Sequence, residues 1–134
     1  MEFSTAPYKE LLEEYRRLES DNFNEAYRIF KNAVYWSDFY GEQLAIAKKL
    51  LAEAEFNFKQ TKARKSNELS PTKVSDGERL ALFSEEVIRA SQEFSKAVYF
   101  ERTLENITST IDKIYFDSKN VWDKGNLSYR GKER

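Results

Sequence analysis

Two hydrophobic ladders on a seven-residue repeat run through most of the chain. The first is Ala26, Phe30, Ala33, Ser37, Tyr40, Leu44, Ala47, Leu51, Ala54, Phe58. The second is Phe83, Val87, Ala90, Phe94, Ala97, Glu101, Leu104, Thr108, Ile111, Tyr115, Ser118, Trp122. Steps of four and three residues kept up over that distance hold one seam of an α-helix toward a partner, a pattern that no strand can satisfy. The expected fold is all-α: a long antiparallel helical hairpin of coiled-coil type, with a short N-terminal helix, assembled into a homo-oligomer. Each long helix would span on the order of 60–70 Å. The alanines of both ladders leave room for a close antiparallel neighbour. Ser37, Glu101 and Thr108 interrupt the seams and are read as edge positions.

Local signals place the helices at about 7–19, 24–66 and 76–124. Pro7 suits a first turn, and Leu11, Leu12, Tyr15 and Leu18 make an apolar stripe behind it. Ser20, Asp21 and Asn22 interrupt that helix, and Asn22 or Asn24 can cap the next one. Gly41 invites a bend or a close neighbour. The stretch Asn67–Ser75 contains Ser70-Pro71 and reads as the loop between the long helices. Ser75 with Glu78 has the spacing of a capping box, and Gly125 reads as a helix stop. Residues 1–125 then form a single helical domain, and 126–134 a flexible basic tail.

Ten Phe, eight Tyr and two Trp are more aromatic surface than a two-helix rod can cover, which calls for the extra helix, self-association, or both. Val98, Ile107, Ile114 and Val121 form a second apolar edge on the last helix. With Trp122 they are the candidate subunit contacts, although the same residues would also serve an intramolecular core.

The chain has no His and no Cys. Thiolate metal sites and disulfides are excluded, and so are the commonest general base and zinc ligand. The four glycines are scattered, so no phosphate-cradling loop is present. The pairs Glu13/Glu14 and Glu85/Glu86 read as solvated helix faces. A non-catalytic protein without a cofactor is expected. No apolar run approaches the roughly 20 residues that span a bilayer, and the acidic start lacks the core of a signal peptide. A cytoplasmic location is expected.

A net charge of −1 conceals a basic zone: residues 59–75 carry five basic groups and one acidic group. Lys59, Lys62, Arg64 and Lys65 lie near the end of the second helix, and Lys73 faces them across the loop. Cations that neutralise phosphates gain affinity through counterion release without reading bases. Phe56 and Phe58 are candidate stacking surfaces, with Phe58 also in the seam. Such a cluster equally complements a helix C-terminus and keeps it soluble.

The order of parts resembles the UvsY-type recombination mediators of T-even-like phages. The matching pieces are Leu11-Leu12-Glu13-Glu14, Asn32–Tyr40 (NAVYWSDFY), Lys62-Ala63-Arg64, Ser84–Arg89 (SEEVIR) and Ile111–Asn120 (IDKIYFDSKN). The resemblance covers about residues 8–124. It implies a ring-forming homo-oligomer that binds single-stranded DNA through Lys62 and Arg64. It also implies two protein partners, a recombinase and a single-strand-binding protein, with the chain helping to load the first in place of the second. The chain departs from the family in its shorter loop and in Asp117-Ser118-Lys119-Asn120, where the family has an arginine-glycine element. The alternative is a phage-encoded helical interaction factor, such as a host-defence inhibitor or a packaging or structural protein. It would work through the acidic first helix (Glu10, Glu13, Glu14, Glu19) and the aromatics around Trp36, without DNA.

Overall fold

The computed structural model describes residues 3–71 and 73–132, with the backbone alone for 127–132. The described residues are all-α: α1 (Ala6–Arg17), α2 (Phe23–Leu69), α3 (Val74–Ala81) and α4 (Glu85–Lys132). None of these helices is long and apolar enough to cross a membrane. The long helices α2 and α4 pair antiparallel along the two ladders, as the heptad pattern requires. They pass through two compact units, one formed by the chain up to Gln43 with the chain from Leu104 onward, the other by Leu44–Thr103.

In the first unit α1 lies against α2 and α4. Ala26, Ala33 and Tyr40 of α2 and Leu104, Ile111 and Ser118 of α4 are fully buried, so the seams expected from the repeat form the core here. Ile29 of α2 and Leu11 of α1 are buried with them. Polar contacts fix α1 in place. The Tyr15 hydroxyl donates to the Asp117 carboxylate. The Tyr40 hydroxyl donates to the Ser4 carbonyl at 2.7 Å and accepts the Tyr8 N–H at 3.3 Å. Arg28 reaches Glu14 at 3.1 Å. Asn22 caps α2: its side-chain oxygen accepts the Glu25 N–H at 3.2 Å.

Ile107 and Ile114, expected at a subunit contact, are buried within the single chain. Their position on the α4 flank beside the seam makes them part of its own core, so neither side chain is free to face a second subunit. Val98, Val121 and Trp122 are half-buried, and the Trp122 ring lies 4.9 Å from that of Tyr27.

Three boundaries differ from those expected. The helix expected over 76–124 is two helices, α3 and α4, separated by Leu82–Ser84. Gly77 and Ala81 of α3 are buried, and a Cβ on Gly77 would collide with the Ser66 carbonyl and hydroxyl. Small residues four apart let α3 sit directly on α2. The chain then turns through Phe83 N–H to Leu80 C=O and Ser84 N–H to Ala81 C=O bonds before α4 begins. Phe83, expected to start the second ladder, is 78% exposed in this turn, and the buried seam starts at Val87. Ser75 does not cap α3; Lys73 occupies the N-cap position with no side-chain cap bond. Finally, α4 does not stop at Gly125 but continues to Lys132, so the expected flexible tail is helical over its described part, and 133–134 lie outside the described residues. Gly125 is buried because the Phe23 ring occupies the space a Cβ would need; the glycine serves packing, not termination. Gly41, by contrast, has open space around it.

Candidate nucleic-acid interface

The basic cluster lies in the second unit, on the last turns of α2. Helix α2 persists to Leu69 because nothing before Ser70-Pro71 forbids the helical conformation. Its final turns are reinforced by ion pairs at helical spacing, Lys59 to Glu55 at 3.0 Å, Arg64 to Glu68 at 3.0 Å and Lys65 to Glu68 at 3.2 Å.

Helical phase divides the cluster between two sides of α2. Lys59, Lys62, Ala63, Ser66 and Asn67 recur at i, i+3, i+4, i+7 and i+8 and line an open cleft of about 310 Å³, whose opposite wall is Val74 and Glu78 of α3. Lys62 is half-buried there and has no carboxylate partner among the described residues. Arg64 and Lys65 turn toward α4, where both reach Glu86, Arg64 at 2.5 Å and Lys65 at 3.2 Å. The two cations and the carboxylates of Glu68 and Glu86 thus form one four-member network. Lys65 extends a largely covered stem, 21% exposed, to bring its ammonium there.

This network shifts the titration of all four groups. The hydrogen bond from Arg64 is the main cause of the lowered Glu86 pKa, and that from Lys65 of the lowered Glu68 pKa. The acceptor bond to Glu86 raises Arg64, and that to Glu68 raises Lys65. All four therefore carry full charge across the neutral range.

The structure thus brings Lys59 and Lys62 together at the cleft and draws Arg64 and Lys65 aside onto carboxylates. Lys73 is exposed at the start of α3 and lies outside the cleft lining. Phe58 is half-buried in the seam, edge-on to Phe94 at 5.8 Å, whereas Phe56 is 63% exposed. Glu68 and Glu86 were not foreseen as part of the site. The Glu68 contacts follow from i+3 and i+4 spacing and were open to a sequence reading. Glu86 is brought in only by the pairing of α2 with α4. Comparison with family models, curated proteins and solved structures finds no match to this chain.

Proposed function

We propose that the chain is a non-catalytic single-stranded-DNA-binding protein that acts through the end of α2, in the manner of a recombination mediator. The observation that carries the reading is the cleft between α2 and α3, where Lys59 and Lys62 flank the polar Ser66 and Asn67. Two cations one helical turn apart, beside hydrogen-bonding groups, can hold phosphates without reading bases, which suits a sequence-independent strand binder. The exposed Phe56 ring, one turn before Lys59, offers a face for an unpaired base. Homo-oligomerisation would multiply such a weak site along one strand by raising effective concentration. The recombinase and single-strand-binding protein partnership rests on the resemblance described above.

Titration of labelled oligo-dT at several salt concentrations tests the reading. Affinity should fall steeply with salt. Lys59→Ala/Lys62→Ala should weaken binding and reduce the log–log salt slope by about 1.4, roughly 0.7 for each phosphate no longer neutralised. Absent or salt-insensitive binding overturns it. A protein-binding helical factor is the second reading, favoured by the outward-facing Val34, Tyr35 and Phe39 of the first unit.

A further inference from the structure

We propose that Glu68 and Glu86 make this site selective for a strand of closely spaced phosphates, because they occupy Arg64 and Lys65 until such a strand displaces them. The inference rests on the nucleic-acid reading above and specifies which kind of anion that site takes.

The geometry is that of an internal competitor. Each of the two carboxylates contacts both cations, at 2.5–3.2 Å. Two positive and two negative charges cancel, so the network presents little net attraction to an approaching anion. Lys62, without a carboxylate partner among the described residues, is the open point of the cluster. An isolated phosphate that reaches Lys62 has no means of breaking the network next to it. A strand held at Lys59 and Lys62 differs, because its following phosphates are tethered within reach first of Lys65, about 60° around α2 from Lys62, and then of Arg64 on the side facing α4. Three helical residues correspond to about 4.5 Å of rise, so Lys65 follows Lys62 by that distance along the axis. Tethering raises the local concentration of the competing phosphate far above its bulk value. A phosphate can also take the forked pair of N–H donors that Arg64 now gives to carboxylates.

Exposure makes the exchange feasible. Arg64, Glu68 and Glu86 each leave about half of their side chains in solvent, and exposed pairs of this kind are weak and screened. A buried network could not be opened by a ligand in this way. Protons are not the trigger. The lowered pKa values of Glu68 and Glu86 keep both ionised through the neutral range, so displacement has to come from another anion.

The test compares the native chain with Glu68→Gln/Glu86→Gln and the single Glu86→Gln. The probes are labelled oligo-dT, with inorganic phosphate and thymidine monophosphate as competitors. The double variant should bind oligo-dT about ten-fold more tightly. Binding of the native chain should resist millimolar phosphate or mononucleotide, while the double variant should become sensitive to both. Glu86→Gln alone should fall between, with helicity by circular dichroism unchanged in all three. Equal affinity and equal competitor sensitivity in the native and double-variant chains overturn the inference. If oligo-dT binding depends on Lys59 and Lys62 but ignores the glutamates, only this inference fails. If no chain, native or variant, binds oligo-dT, the functional reading fails with it.

Discussion

Gly125 shows how one missing carbon sets a helix–helix distance. The Phe23 ring fills the space where its Cβ would stand, at the point where the start of α2 meets the end of α4. Gly125→Ala must push that ring aside or separate the helices, and overpacking of this kind costs about 1–3 kcal/mol. The expected result is a lower urea midpoint with unchanged m-value; an unchanged midpoint would mean that Phe23 moves freely. A polar counterpart is Tyr15, whose hydroxyl donates to Asp117 and whose pKa is raised chiefly by that bond. Tyr15→Phe leaves the carboxylate without its donor from α1, and a hydrogen bond to a charged group contributes about 1.5–3 kcal/mol. The same denaturation measurement checks it, and recovery by Tyr15→Phe/Asp117→Ala would show that the loss comes from the stranded carboxylate and not from altered packing.

At the scale of the elements, heptad spacing carried the pairing of α2 with α4, because a seam that recurs every seven residues can bury itself in only one way. Ala26, Ala33, Ala47, Val87, Leu104 and Ile111 all lie where that spacing puts them. The cap of α2 was readable as Asn22 or Asn24, since a cap needs only its own side chain and the N–H three residues on, and Asn22 fills it. Asn22→Ala should cost about 1 kcal/mol, read as a lower thermal midpoint, and Asn22→Asp should restore it. What escaped the sequence depended on tertiary neighbours. Gly125 reads as a helix stop, yet it sits inside α4 because the Phe23 ring needs its space, and the close approach of Gly77 to Ser66 likewise has no signal in the sequence. The turn at Leu82–Ser84 exists because α3 has to settle on Ser66, a residue far from it in sequence. The basic cluster was visible as charge, but its division was not. Local spacing reveals Glu55 and Glu68 beside the cations, whereas Glu86 arrives only with the α2–α4 pairing.

For the whole molecule, the ionisable groups define how stability depends on pH. With no histidine and no cysteine, no side chain has an ordinary pKa between the carboxylates and the tyrosines. The shifts in the structure push the two edges further apart. Glu25, Glu68 and Glu86 are lowered, each mainly by a hydrogen bond from Arg28, Lys65 and Arg64 respectively. A carboxylate with a depressed folded pKa stabilises the fold above its unfolded pKa, and that contribution disappears as pH falls through the folded value. At the other edge, the hydrogen bond to Asp117 raises Tyr15 and burial raises Tyr40. A raised pKa gives stability that is complete below the unfolded value and is lost as pH rises through the folded one. Urea midpoints should therefore be flat from about pH 5.5 to about pH 9, falling below roughly pH 4 and above roughly pH 10, where carboxylates and tyrosines titrate. Most ion pairs at the end of α2 are exposed, so half-molar salt should move the plateau little while sharply weakening binding to a phosphate strand. A midpoint that slopes through neutral pH would require a titrating group that this chain does not contain in its side chains. Salt effects of equal size on stability and on strand binding would mean that the cations act mainly in folding, leaving the cleft at the end of α2 without the role proposed for it.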